Sequence, residues 1–112
     1  MKKMHATQEK ILELIKEYVH SHYKEPIDLN VLADNMGFSP SYLTKIFTKY
    51  EEITPSKYIR NYRMNIAKQM LSLDTNLDKV AEAVGYTDPF HFSKSFKQTF
   101  GMSPSEYRKT LN

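Results

Sequence analysis

Ile11, Ile15 and Val19 recur at intervals of four, with Leu12 and Tyr23 beside them. That spacing stacks apolar side chains along one side of an α-helix and predicts a first helix over about 7–23, ended by Glu25-Pro26. Leu29, Leu32, Ala33 and Met36 predict a short helix over 29–36, with Gly37 as its C-terminal cap. Two further stripes follow the same rule: Leu43, Phe47 and Tyr50, flanked by Ile46, and Phe92, Phe96 and Phe100. The longest stripe is Tyr58, Ile59, Tyr62, Ile66, Met70 and Leu73, and it predicts a helix over 55–73 that breaks at Asp74-Thr75-Asn76. A short helix over about 77–84 stops at Gly85. Strand-like alternation is scarce, so the chain reads as all-α.

Proline placement sharpens the boundaries. Four of the five prolines follow Ser, Thr or Asp: Ser39-Pro40, Thr54-Pro55, Asp88-Pro89 and Ser103-Pro104. A short oxygen-bearing side chain caps a helix N-terminus, and proline suits the first helical position, where an N–H has no partner in any case. Helices therefore start near 40, 55, 89 and 104, which brings the total to seven. Ser103 with Glu106 three residues on forms a capping box.

The pattern occurs twice. LNVLADNMGF at 29–38 aligns with LDKVAEAVGY at 77–86, and LTKIFTKYEEITPSKY at 43–58 aligns with FSKSFKQTFGMSPSEY at 92–107, the register slipping by one residue between the blocks. Each copy is a short helix, a turn with Gly and an aromatic, and a capped second helix. Two copies are too few for a solenoid. They suit two lobes, 7–54 and 74–112, joined by the helix at 55–73. Short helix, tight turn and second helix is the helix-turn-helix pattern, with Ala33 and Ala81 where the helices cross and Gly37 and Gly85 where the chain turns. A plain αα-hairpin shares these features, so one copy alone leaves both readings open. In one respect the copies differ: Gly101 precedes Met102-Ser103-Pro104, whereas Glu52 precedes Ile53-Thr54-Pro55. A left-handed C-cap suits Gly, so two expectations stand: either the turn after the first copy's second helix differs from that of the second copy, or Glu52 is strained.

Composition bounds the function. With 112 residues, 40% hydrophobic and 26% charged, the chain is one globular unit or two small lobes. It has no Cys, hence no disulfide framework or thiolate metal site, in keeping with a reducing cytoplasm. The start MKKMHATQEK is basic but lacks the apolar run of a signal peptide, and no stretch is long enough to span a membrane. The net charge of +3 is too small to name a partner, but its distribution is informative. Residues 39–50, 55–73 and 89–100 hold Lys45, Lys49, Lys57, Arg60, Arg63, Lys68, Lys94 and Lys97 and no Asp or Glu. The first helix carries Glu9, Glu13 and Glu17. One face is thus set aside for phosphate, with Lys68 the expected bystander. His20 and His22 lack a carboxylate or Cys to complete a metal site. No nucleophile–base pair and no phosphate-cradling Gly loop occurs, so neither an enzyme nor a cofactor site is expected.

The run GYTDPFHFSKSFKQTFGMSPSEYRK at 85–109 resembles the signature of the AraC family of bacterial transcription regulators. GFSPSYLTKIFTKYEEITPSKYIRNYRMNIAKQML at 37–71 resembles that family's other helix-turn-helix and linker. The resemblance covers about residues 8–110. It implies seven helices with the long fourth joining two homeodomain-like helix-turn-helix lobes, and sequence-specific binding of double-stranded DNA. It also implies transcription regulation, activation in particular, through contact with RNA polymerase in the bacterial cytoplasm. Family members carry a further sensory or dimerisation domain, so the chain is expected to be a small regulator or an output domain like those of response regulators. The isolated domain is expected to be a monomer.

On the helix from Pro40, Ser41, Tyr42, Thr44, Lys45 and Thr48 face outward; on the helix from Pro89, Phe90, His91, Ser93, Lys94 and Lys97 do. These fall where the family's recognition helices read the major groove. The expected base contacts are Ser41, Tyr42, Thr44, Lys45, Phe90, His91, Ser93 and Lys94. The expected phosphate contacts are Ser39, Thr48, Lys49, Lys57, Arg60, Arg63 and Lys97. Lys45 and Lys94 can donate to guanine O6 and N7, and the Thr44 methyl can meet a thymine methyl. For Phe90, core packing is favoured slightly over a thymine contact. The 19 residues at 55–73 span about 28 Å as a helix, against about 34 Å between successive major-groove segments. One chain could thus read two grooves of an asymmetric site. Two rival readings remain: a helical protein-interaction module whose basic face meets an acidic partner, and a basic amphipathic helix at 55–73 on an anionic membrane.

Overall fold

The computed structural model describes residues 6–73 and 75–111. The basic start at 1–5 and Asp74 of the expected break lie outside the described residues. Seven helices and no strand occur among the described residues: α1 Ala6–His22, α2 Leu29–Met36, α3 Pro40–Glu51, α4 Pro55–Leu71, α5 Leu77–Ala83, α6 Pro89–Phe100 and α7 Pro104–Lys109. No described helix is long and apolar enough to cross a membrane. The expected caps are present. Ser39 Oγ accepts from the Tyr42 N–H at 3.1 Å, Thr54 Oγ1 from Lys57 N–H at 3.2 Å, and Asp88 Oδ1 from Phe90 N–H at 2.9 Å. At α7 the capping box is complete: Ser103 Oγ accepts from Glu106 N–H, and Glu106 Oε1 accepts from Ser103 N–H. That backbone N–H, with the Ser103 side chain, holds the Glu106 carboxyl below the usual carboxylate range.

The chain divides into two units. The first takes the residues up to His22 and Ile27–Tyr58; the second takes Tyr23–Pro26 and Ile59 onward. The first unit's core is Ile11, Leu12 and Ile15 of α1, Leu32 and Ala33 of α2, and Leu43, Ile46 and Phe47 of α3. Tyr58 closes it with its ring edge-on to Phe47, centroids 5.2 Å apart. Lys16 of α1 pairs with Glu51 at the end of α3. The second unit's core is Met64, Ala67 and Leu71 of α4, Val80, Ala81 and Val84 of and after α5, and Phe92 and Phe96 of α6. Lys68, the expected bystander, lies over the rings of Phe100 and Tyr107, 4.9 and 5.5 Å from their centroids.

Three details differ from the sequence reading. Leu73, expected on the apolar stripe of α4, is 62% exposed, because the helix ends at Leu71 and no longer carries the chain round to the core side. The fully buried residues of α4 are Met64, Ala67 and Leu71, with Ile66 and Met70 only partly covered beside them. Met64, Ala67 and Leu71 stand at i, i+3 and i+7 on one stripe of the helix, whereas Tyr58 and Tyr62 keep part of their surface in water. Tyr23, expected on the stripe of α1, follows that helix and packs in the second unit, stacked on Tyr62 at 5.3 Å.

Glu52 caps α3 with φ 63°, the left-handed region, and its N–H donates to Thr48 O. Gly101 caps α6 with φ 80° in the same way, its N–H donating to Lys97 O. The turn does not differ between the copies, so of the two expectations it is the strain at Glu52 that holds, where the second copy uses Gly.

Candidate nucleic-acid interface

Each unit holds a short helix and a longer one joined by a tight turn. In the first, Gly37 N–H donates to Asp34 O at 3.2 Å and Phe38 N–H to Ala33 O at 2.9 Å. In the second, Gly85 N–H donates to Glu82 O at 3.0 Å and Tyr86 N–H to Ala81 O at 2.9 Å. Ala33 and Ala81 are buried in the cores of their units, each on the short helix that contacts the longer one. The turns are thus equivalent bond for bond. The cap at Ser39 or Asp88 then fixes where α3 or α6 begins.

The two longer helices bury matching faces and expose matching ones. Leu43, Ile46 and Phe47 point into the first core; Phe92, Ser95 and Phe96 point into the second. On α3 the outward side chains are Ser41, Thr44, Lys45, Thr48 and Lys49, all exposed, with the cap Ser39 at its start. Tyr42 is half-buried, since its ring leans on Phe38 at 5.1 Å and on the core. Lys49 extends over the Tyr50 ring at 5.2 Å. Lys57, in the first turn of α4, is exposed in the same unit. On α6, Phe90, His91, Lys94 and Lys97 are exposed and Ser93 is half-exposed. The His91 ring meets Tyr86 edge-on at 5.1 Å. Phe90 does not enter the core as favoured from sequence: it is 85% exposed. Its place at the second residue of α6 turns it away from the side that carries Phe92 and Phe96.

The arginines of α4 behave differently from the lysines. Arg60 is half-buried and its Nε is enclosed with no hydrogen-bond partner. Arg63 donates Nε to Tyr23 O at 2.9 Å and Nη2 to Glu25 O at 2.8 Å, with its guanidinium 5.9 Å from the Tyr86 ring centroid. Burial pulls its pKa below the ordinary arginine value, and Tyr86 acts in the opposite sense. It is a brace on the segment after α1, where Gly85 also lies close. Arg108 has a similar role: it donates Nε to Leu71 O at 3.4 Å and Nη2 to Thr75 O, closing the end of α4. Neither brace was legible in the sequence, because the acceptors are backbone carbonyls more than 30 residues away. Of the histidines, His20 Nε2 hydrogen-bonds Tyr58 Oη and His22 Nδ1 meets Tyr18 O. No group of three or more His, Asp or Glu able to hold a metal ion occurs among the described residues.

The chemistry available is that of two capped helices whose outward faces offer ammonium groups, hydroxyls, an imidazole and one phenyl ring. A helix-turn-helix domain model matches residues 32–110. An AraC-type DNA-binding domain of a transcriptional regulator from Chromobacterium violaceum matches in structure with a TM-score of 0.83 at 26% identity, covering 96% of each chain. The chain belongs to the AraC-type helix-turn-helix family. The C-terminal domain of the response regulator AraT from Geobacillus stearothermophilus is similar as well, with a TM-score of 0.85 at 29% identity, covering 89% of this chain and 84% of that one. The Msm operon regulatory protein of Streptococcus mutans is 35% identical over 98 residues, 87% of this chain and 35% of that protein. This chain spans well under half the length of the curated relatives it matches. The family is one of DNA-binding transcription regulators.

Proposed function

We propose that α3 and α6 are two recognition helices that enter successive major grooves of an asymmetric double-stranded DNA site. The observation that carries this reading is the matched pair of outward faces, exposed on both helices except at half-buried Tyr42 and half-exposed Ser93. Ser41, Tyr42, Thr44 and Lys45 on α3 occupy the places that Phe90, His91, Ser93 and Lys94 occupy on α6. We assign base contacts to these eight. We assign phosphate contacts to Ser39, Thr48, Lys49, Lys57, Arg60 and Lys97. Arg63 is left out of that set, because its donors hold the chain at Tyr23 and Glu25. The acid-free stretches support the electrostatic half of the proposal, and Glu51, the first acid after α3's lysines, is paired with Lys16. With two heads in one chain, a monomer does what a dimer does for single-headed proteins, and the unlike heads make the site non-palindromic. Regulation in the bacterial cytoplasm, by activation through contact with RNA polymerase, completes the reading.

Selection of bound duplexes from a random pool, followed by a salt titration, tests it. The pool should converge on one asymmetric site. Log K should fall with log salt at a slope between about −3.6 and −5.4, for about four to six charged contacts at −0.9 each. A slope near zero would refute the DNA reading, and heparin competition without any preferred sequence would favour an acidic protein partner instead.

A further inference from the structure

Phe90 is the most exposed large apolar side chain among the described residues at 85%, ahead of Leu73 at 62% and Val31 at 50%. Its backbone is pinned, since its N–H donates to Asp88 Oδ1 at 2.9 Å. The ring therefore projects from a fixed point on the second residue of a capped helix. Lys94 lies four residues on, one turn along the same side, and is exposed too. His91, next to it, is held edge-on to Tyr86. An apolar ring beside an ammonium group is a poor surface to leave in water and a good one for part of a major groove. There, the only apolar group that a base edge presents is the C5-methyl of thymine, while guanine O6 and N7 accept from lysine. The matching residue of α3 is Ser41, which has no apolar surface to offer.

Building on the proposed DNA reading, we infer that Phe90 is a specificity determinant that detects a 5-methyl pyrimidine in the half-site read by α6. Its ligand class is thymine or 5-methylcytosine. The half-site read through Ser41 has no such dependence at the corresponding place. Dehydration of the methyl group against the ring supplies the discrimination, so removing the methyl alone should abolish it, with every Watson–Crick bond intact.

The experiment uses the duplex selected by the whole chain. Each thymine is replaced singly by deoxyuridine, which deletes only the methyl group. Wild-type protein should lose about fourfold in affinity at one position of the α6 half-site, the equivalent of burying one methyl group at ~0.8 kcal/mol. Phe90→Ala should bind the thymine duplex more weakly and bind the thymine and deoxyuridine duplexes equally. Phe90→Leu should restore a preference for thymine. At the same position, 5-methylcytosine paired with guanine should bind more tightly than cytosine by about the same factor, and only when Phe90 is present. Phe90→Ala should melt as wild type does, because the ring contributes no core contact. If wild type is indifferent to every deoxyuridine, or Phe90→Ala keeps the same thymine preference, the inference is wrong. In that case continued preference for the selected duplex over a scrambled one leaves the DNA reading standing. A protein that selects no duplex overturns both.

Discussion

Replacing Glu52 by glycine should stabilise the protein. Glu52 holds φ 63° and is the one non-glycine with positive φ among the described residues. A side-chain-bearing residue in that region costs roughly 1–2 kcal/mol, from the approach of Cβ to the following carbonyl. Glycine removes this cost but gives back roughly 0.5–1 kcal/mol through the greater freedom of the unfolded chain. The net gain for Glu52→Gly is about 0.5–1 kcal/mol. For a chain near 100 residues that raises Tm by about 2–8 °C. The second copy supplies the reverse experiment. A Cβ added at Gly101 meets nothing within 4 Å, so Gly101→Ala should lose about 1 kcal/mol through backbone conformation alone. The assay is urea unfolding followed by circular dichroism, with the shift read in the midpoint at constant slope. Glu52→Ala separates the causes, since it removes the carboxylate and keeps Cβ. If Glu52→Ala stabilises as much as Glu52→Gly, charge and not backbone strain is responsible. If Glu52→Gly lowers the midpoint, the strain argument fails.

Gly85→Ala should be costlier than Gly101→Ala by at least about 1 kcal/mol, because φ is 91° and the new Cβ would also lie 2.8 Å from Tyr23 O; equal unfolding midpoints for the two variants would contradict this. Phe47→Ala and Phe96→Ala, each emptying a fully buried ring site, should each cost roughly 3–5 kcal/mol, and near-wild-type unfolding would mean that the faces of α3 and α6 are assigned the wrong way round. Arg63→Met should destabilise by about 2 kcal/mol through loss of its two carbonyl bonds. It should leave the salt slope of DNA binding unchanged, and a slope flattened by about one unit would return Arg63 to the phosphate contacts.

The helix starts and the doubled motif were legible because their signals are local. A capping oxygen followed by proline acts within three residues, and the bonds at Ser39, Thr54, Asp88 and Ser103 form where that rule puts them. The positive φ of Glu52 was legible only in part: alignment of the two copies set Glu beside Gly, but left open whether the turn would change instead. The buried face of α4 was not. The apolar stripe picked out Tyr62 and Leu73, whereas the core took Met64, Ala67 and Leu71, a second set at i, i+3 and i+7 that periodicity alone does not rank above the first. The exposure of Phe90 was hidden by the ordinary fate of phenylalanine, which is burial. Arg63 and Arg108 read as surface charge, yet each spends donors on distant carbonyls that no residue type marks.

The central claim is that two unlike heads on one chain read two parts of one site. Lys45 and Lys94 are its most direct probes. They occupy matching places on α3 and α6, both are exposed, and neither belongs to a core. The measurement is the binding profile of Lys45→Ala and of Lys94→Ala over every single substitution of the selected duplex. Each variant should fold as wild type, lose about 1–3 kcal/mol of specific binding and relax preference at one position. The two relaxed positions should differ and lie about 10 base pairs apart, one turn of the double helix. If both variants relax the same position, or Lys94→Ala changes nothing, α6 is not a second reading head and the account is wrong.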